Sequence, residues 1–240
     1  MTPLVVVISI MAVAMVWLFR QTMNVRPWAD PGAVDESAAS GASFARPAAT
    51  VGLGVFLAVA TSLFVLTICA YFMRMMAADW RTFVFPSVLW LNTGLLILSD
   101  LAMRSARAAS RRGKIDRVRA GLIATGVLSF AFLAGQIWAW QQLNASGYFT
   151  TADVGSAVAA GPANSFFYLF TALHGLHVLG GLWVWGRTTV RVWQGANAAR
   201  VRLSVELCTV YWHYLLVVWL VLLALLIPAI SELCRGRLSF

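Results

Sequence analysis

This chain has few of the residues on which soluble proteins and most metal sites depend. Only 11% of its 240 residues are charged, whereas a soluble domain carries about 25%. Its three cysteines, Cys69, Cys208 and Cys234, show no metal-binding spacing. These shortages exclude a soluble globular domain, and they argue against a disulfide framework and a Cys-ligated cluster. What the chain has instead is apolar, since 60% of its residues are hydrophobic.

The chain also lacks the short motifs that mark common enzyme sites. It contains no nucleotide-binding loop, no HExxH pair, no Ser-His-Asp arrangement and no paired carboxylates. The formal net charge is +9, but the arginines lie in short blocks between apolar runs. Such blocks are typical of loops between membrane helices, and nucleic acid is not an expected partner. The residues therefore indicate an integral membrane protein with no evident active site.

Six apolar runs approach or exceed the length of about 20 residues that a membrane-spanning helix needs. The sequence therefore predicts an all-α fold, a polytopic membrane helix bundle with six transmembrane helices. The predicted spans are Pro3 to Phe19, Val51 to Met73, Phe83 to Met103, Ala120 to Gln142, Asn164 to Gly186 and Leu207 to Ile230. We divide the chain into an N-terminal transmembrane helix (1–20), a cytoplasmic linker (21–50) and a five-helix membrane domain (51–240).

The basic residues predict how these helices are oriented. One set of alternate loops carries 14 of the 18 lysines and arginines, and the other set carries 4. Because basic loops stay in the cytoplasm, we expect the Arg-rich loops inside and both termini outside, in a bacterial inner membrane. In the first run Arg20 follows the apolar residues and no basic residue precedes them, so we interpret it as a retained helix, not a signal peptide.

The fifth predicted span carries two histidines near its middle, where ionisable groups are costly and usually face protein. On a helix, four residues share one stripe: Phe170, His174, His177 and Gly181. Core packing, haem ligation and a proton relay all remain open for these histidines, and packing is favoured. His174 and His177 cannot be opposite ligands of one haem, because they lie one turn apart on one helix. Only His213 could partner either of them.

Other polar residues lie within or at the ends of the spans. Asn92 is a mid-span amide that needs a partner. Asp100 and Glu206 lie near the cytoplasmic ends of their spans, and we expect Asp100 to pair with Arg104 one turn later. Both are therefore candidate proton-entry carboxylates, on the side of the membrane from which protons are taken up.

Three segments in order resemble motifs of subunit III of the haem-copper terminal oxidases, the group of cytochrome c oxidase and quinol oxidase. They are Pro86 with Leu89-Trp90-Leu91-Asn92-Thr93, Phe166-Phe167 through His174-Gly175-Leu176-His177-Val178 and Gly181, and Tyr211-Trp212-His213-Tyr214 through Val218-Trp219. The resemblance runs from about Val51 to Ile230 and is to the shorter, five-helix branch. The helix from Pro3 to Phe19 has no place in that pattern.

The resemblance implies a non-catalytic subunit without haem or copper. Its partners would be the catalytic subunit I, which holds haem and copper, together with subunit II, small membrane subunits and bound phospholipid. The complex would reduce dioxygen to water and translocate protons, and this subunit would support proton uptake and stability. The motif residues would pack the core or line a lipid cleft: Trp90, Asn92, His174, Gly175, His177, Trp212 and His213.

Two positions depart from the family pattern, since Ala60 stands where a Glu is common and Leu216 where an Asp is common. Roles attributed to those carboxylates are therefore not transferred to this chain. A subunit III-like accessory protein of a nitric oxide reductase is an alternative function, because the missing Glu is compatible with it. A freestanding haem cytochrome or a transporter is a third hypothesis. The transporter is disfavoured because only Pro86 and Pro228 interrupt spans, and both lie close to an end.

Overall fold

The described part of the chain is a bundle of long α-helices. The computed structural model describes residues 48–77, 86–145, 162–195 and 198–227. Within them the helices are α1 (Ala48–Met75), α2 (Val88–Arg111), α3 (Ile115–Leu143), α4 (Pro162–Trp193) and α5 (Ala198–Leu226). The predicted N-terminal helix, nearly all of the predicted linker and both termini lie outside these residues. Among the described residues, the all-α class and five of the six predicted helices are confirmed.

Four of the five helices in the described ranges are long and apolar enough to cross a membrane, namely α1, α3, α4 and α5. The fifth, α2, was predicted as a span but is not among them. Four polar residues interrupt its apolar run: Asn92, Thr93, Ser99 and Asp100. All four are buried, so the polar face of α2 points into the bundle. A polar face turned inward lowers the mean hydropathy of a helix without exposing its polar groups to lipid.

The helix ends differ from the predicted ends for identifiable reasons. At Arg111, α2 ends well beyond the predicted Met103, because adding turns to a formed helix is easy and arginine side chains extend to water. It begins at Val88, shortly after Pro86, a residue that suits the start of a helix because N–H groups there have no helical partner. The carbonyl of Pro86 accepts the N–H of Leu89 at 3.1 Å. The predicted start at Phe83 lies outside the described residues.

A tight turn makes α2 and α3 an antiparallel hairpin. Gly113 has a φ of 68°, a left-handed conformation that glycine adopts without steric cost. The N–H groups of Arg112 and Lys114 both donate to the carbonyl of Ala109 at 3.1 Å. We call the end of the bundle that carries this turn the arginine-rich end.

The central helix is α5, because 72% of its most apolar stretch is buried compared with 28% for α1. Tyr71 on α1 donates its hydroxyl to the carbonyl of Leu225 on α5 at 3.1 Å. The outer side of α1 carries a row of exposed apolar residues: Val51, Val55, Val59, Leu63, Leu66 and Met73. Such a row is suited to lipid or to another apolar protein surface.

Candidate functional site

The histidine stripe of α4 faces protein, as its spacing predicted. Phe170 and His174 are fully buried, Gly181 is buried, and His177 is half-buried. The ring of His174 lies 5.8 Å from that of Phe132 on α3 and 5.1 Å from that of Trp219 on α5. The histidine is therefore enclosed by aromatic side chains from two neighbouring helices.

Three buried polar side chains form a layer across three helices, which we call the amide–histidine layer: Asn92 on α2, Gln136 on α3 and His174 on α4. None of their side-chain nitrogen and oxygen atoms has a hydrogen-bond partner among the described residues. Asn92 lies against Gly135, since a Cβ on that glycine would overlap the Asn92 amide. Gln136 follows Gly135 in sequence. It lies one helical turn along α3 from Phe132, whose ring is beside that of His174.

Trp219 connects the same layer to α2. Its indole N–H donates to Oγ1 of Thr93 at 3.0 Å, and Thr93 follows Asn92 in sequence. The layer therefore places three polar side chains inside the bundle and not on its outer surface.

The second histidine, His177, fixes the contact of α4 with α1 and α5. Its Nδ1 lies 2.8 Å from the carbonyl oxygen of Leu173, and its ring lies 5.1 Å from that of Phe64 on α1. The hydroxyl of Tyr211 donates to the His177 carbonyl at 2.7 Å. A Cβ at Gly181 would come within 2.5 Å of the Tyr211 ring, so glycine there permits the close approach. Gly175, the glycine between the two histidines, meets no such constraint.

A serine pair joins α2, α3 and α5 nearer the arginine-rich end. The Oγ atoms of Ser99 and Ser129 are 2.9 Å apart. The indole N–H of Trp212 donates to Ser99 at 3.0 Å and points to Ser129 at 3.3 Å. All three side chains are buried, so this network lies wholly between helices.

At the arginine-rich end, Asp100 is joined to a basic pair. Nε of Arg104 lies 2.8 Å from Oδ2 of Asp100, which confirms the expected i, i+4 ion pair. Nη2 of Arg104 donates to Nδ1 of His213 at 2.6 Å. This Nδ1 of His213 also lies 3.4 Å from Oδ2 of Asp100. Because Arg104 can only donate, its contact with His213 requires the tautomer of His213 in which Nδ1 carries no proton.

Glu206 forms a second buried carboxylate site at this end. Nε and Nη2 of Arg111 donate to its Oε1 at 3.0 and 2.7 Å, and Nε of Arg107 lies 3.7 Å away. Burial and the adjacent charge of Arg111 lower the pKa of the Arg107 guanidinium, while Glu206 acts to raise it. Arginine nevertheless keeps its charge. The two arginines thus compensate a carboxylate whose side chain is 8% exposed.

The structure also shows the surroundings of Trp90 and Ala60, two positions that the sequence analysis singled out. Trp90 is 58% exposed on the outside of α2, away from the core side chain Asn92. Ala60, one of the two positions that depart from the resemblance, is buried in α1. Sequence reasoning missed Ser129 and Gln136, although an isolated polar residue within an apolar span was a usable signal.

Together these contacts pair or enclose polar groups inside a helical bundle. In the described ranges, no three or more His, Cys, Asp or Glu residues are placed to hold a metal ion. The hydrogen bonds, ion pairs and ring contacts link α1, α2, α3, α4 and α5 to one another. These contacts determine how the apolar helices pack against one another.

The fold and this interior define the class, a polytopic helical membrane protein. The family model of cytochrome c oxidase subunit III matches residues 4–227, and the chain belongs to that family. The match begins well before Val51, so it includes the N-terminal apolar run that the motifs alone had left outside the resemblance.

Individual relatives are similar over shorter stretches. Cytochrome c oxidase subunit 3 of Thermostichus vulcanus is 29% identical over 181 residues, 73% of this chain and 85% of the relative. The protein of that name in Synechocystis is 30% identical over 135 residues, 56% of this chain and 53% of the relative. A probable cytochrome c oxidase subunit 3 of Mycobacterium tuberculosis is 28% identical over 130 residues, 54% of this chain. The chain spans only about 60% of the length of that mycobacterial relative.

Proposed function

We propose that this chain is the non-catalytic subunit III of a respiratory haem-copper oxidase of the cytochrome c oxidase type. The complex would reduce dioxygen to water and translocate protons. The family match over residues 4–227 carries the proposal. The described interior supports it, because His174, His177 and Trp212 of the family motifs all contact other helices of the chain.

The proposed partners are the catalytic subunit I, with its haem and copper, then subunit II, small membrane subunits and phospholipid. One surface suited to such contacts lies on α2, where four apolar side chains are more than half exposed: Trp90, Leu91, Leu98 and Leu101. Trp90 would then serve as a contact for lipid or a neighbouring subunit. Asn92 and Gly175 would remain interior motif positions.

The membrane orientation is part of the same proposal. Both termini would lie outside a bacterial inner membrane, and the arginine-rich end would face the cytoplasm, where basic loops are retained. Asp100 and Glu206 would then lie on the side from which protons are taken up. Each is almost fully buried and forms an ion pair with an arginine.

The test is a gentle purification from native membranes through a C-terminal tag, with a reduced-minus-oxidised spectrum and mass spectrometry of the co-purifying chains. We expect haem bands and a large catalytic oxidase subunit, both lost when this chain is isolated alone. A nitric oxide reductase as the partner would replace the oxidase proposal with the accessory-protein alternative. Haem that stays on the isolated chain and disappears in His213→Ala would overturn both.

A further inference from the structure

One line of exposed side chains runs along the outside of α1 at spacings of four, three and four residues. It consists of Val55, Val59, Ser62 and Leu66. Val55 is 59% exposed, and Val59 and Leu66 are each 65% exposed. Alternating spacings of four and three residues are the pattern by which one α-helix packs along another. We call this line the outer seam of α1.

The outer seam has small side chains, unlike other outward faces of the bundle. Ser62 places a hydroxyl group on the outside near the middle of α1. Gly52, one turn before the seam, is also exposed, and no atom lies within 4 Å of a Cβ built there. The outward face of α4 carries the larger side chains of Leu176 and Leu179 instead. Small residues on an outer face let another membrane helix approach closely.

The sequence contains a second line of the same kind in the predicted N-terminal helix, which lies outside the described residues. At spacings of four, three and four residues it carries Val5, Ser9, Ala12 and Val16. These positions share one face of a helix. All four side chains are small or β-branched, and one of them is again a serine.

The membrane topology predicts the register in which the two lines meet. Consecutive spans cross a membrane in opposite directions, so residues 3–19 and α1 are antiparallel. Arg20 ends the first apolar run and Val51 begins the second predicted span, so the two lie at the same membrane surface. Counted from that surface, the pairs at equal depth are Val16 with Val55, Ala12 with Val59, Ser9 with Ser62 and Val5 with Leu66.

We propose that residues 3–19 dock antiparallel on the outer seam of α1, with a hydrogen bond between Ser9 and Ser62. The interior of the bundle already contains a serine pair of this kind, since the Oγ atoms of Ser99 and Ser129 are 2.9 Å apart. The linker of residues 21–47 spans roughly 30 Å as a flexible coil, well beyond the distance of about 8–10 Å between packed helices. Docking requires that residues 3–19 cross the membrane, but it depends on neither the oxidase assignment nor the direction of the bundle.

Lipid and a helix of a partner subunit are the competing occupants of the outer seam. Lipid is disfavoured because acyl chains offer no hydrogen-bond partner to the Ser62 hydroxyl. A partner helix needs both a line of small residues and a polar group at that depth, and the N-terminal segment of this chain has both. That segment is also tethered, which keeps its effective concentration at the seam on the order of millimolar.

The experiment is disulfide cross-linking of the full chain in native membranes. The three native cysteines are replaced by alanine, and a protease site is inserted into the linker. A cross-link then holds the two fragments together on a non-reducing gel after cleavage. The test pair is Ser9→Cys/Ser62→Cys.

The matched control is Ser9→Cys/Leu176→Cys. Leu176 is 64% exposed on the outside of α4. It lies at a depth similar to that of Ser62, because the ring of the adjacent His177 is 5.1 Å from that of Phe64 on α1. The control therefore differs from the test pair in the face that is probed and not in depth.

We expect the test pair to cross-link roughly tenfold faster than the control, because a disulfide needs Cβ atoms about 3.5–4.5 Å apart. Val16→Cys/Val55→Cys should cross-link as well, whereas Val5→Cys/Val55→Cys should not, since the antiparallel register separates that pair. Absence of a cross-link in both facing pairs, or equal cross-linking in the control, would overturn the proposal. A larger adduct joining Ser62→Cys to another protein would also overturn it and would assign the seam to a partner subunit, which mass spectrometry identifies.

Discussion

Trp212 and Ser99, which are 113 residues apart in the chain, are joined in the interior by a hydrogen bond of 3.0 Å. The bond connects the central helix α5 to the polar face of α2. The indole also points to Ser129 on α3, so one side chain links three helices. Since lipid tails are as apolar as the helices, such bonds and close packing supply much of what holds a membrane bundle together.

Two substitutions distinguish what the hydrogen bond of Trp212 contributes to stability from what its bulk contributes. Trp212→Phe removes the donor but leaves Ser99 and Ser129 paired at 2.9 Å, so we expect a loss of about 1 kcal/mol. Trp212→Ala also leaves a large cavity and should cost about 3–5 kcal/mol. Thermal unfolding of the purified complex measures both. Equal losses in the two variants would assign the stabilisation to the hydrogen bond instead of to packing.

His174 offers a test of packing against chemistry. His174→Leu roughly conserves volume and removes two buried nitrogens that have no partner among the described residues, so we expect stability to change little. His174→Ala should destabilise the subunit by about 2–4 kcal/mol, because it opens a cavity beside Trp219. If the proposed oxidase complex forms, its turnover should survive in His174→Leu. Loss of turnover in a stably assembled His174→Leu complex would instead indicate a relay or ligand role.

Gly135 should tolerate no side chain, because the fully buried amide of Asn92 occupies the space where a Cβ would lie. We expect Gly135→Ala to lower stability by about 1–3 kcal/mol through overpacking. Gly94→Ala and Gly180→Ala are matched controls, since no atom lies within 4 Å of a Cβ at either position. Adding Asn92→Ala to Gly135→Ala should recover part of the loss, and strict additivity of the two changes would contradict the contact.

Much of this architecture was predictable because apolar length and histidine spacing are local properties. The order of the five helices and the inward stripe of His174 followed from those patterns alone. The face of Trp90 was predictable too, since Trp90 and Asn92 are two positions apart and a helix turns about 100° per residue. With Asn92 buried, Trp90 had to point outward.

The hydrogen-bond partners could not be predicted in the same way. Ser99 and Ser129 lie 30 residues apart, and their contact depends on the register of the α2–α3 hairpin. That register is set by the turn at Gly113, together with the close approach of Gly121 to Ala106, where a Cβ would come within 2.8 Å. A single polar residue in an apolar span indicates that a partner exists, but the partner is chosen by packing.

Glu206 should contribute to the stability of the arginine-rich end. Glu206→Gln leaves Arg107 and Arg111 without their carboxylate, and we expect a loss of about 1–3 kcal/mol, between the values for exposed and buried pairs. The expected loss is below the fully buried value because the Arg111 side chain is 48% exposed and can turn towards water. Arg111→Gln should cost less, since Arg107 stays near the carboxylate. Thermal unfolding of both variants checks the order, and a larger loss in Arg111→Gln would contradict it.

Asp100 provides the sharpest test of a role in proton uptake. Asp100→Asn removes a negative charge beside Arg104 and His213 but keeps the shape of the side chain. If this carboxylate helps to supply protons, its loss should matter most where protons are scarce, so turnover should fall more steeply with rising pH than in the unmodified complex. Asp116→Asn is the control, because Asp116 is fully exposed at the same end of the bundle. Turnover between about pH 6 and 9 is measured for both. Coincident pH profiles for the two variants would reduce Asp100 to a structural ion pair, whereas a steeper alkaline decline in Asp100→Asn alone would place proton uptake at this residue.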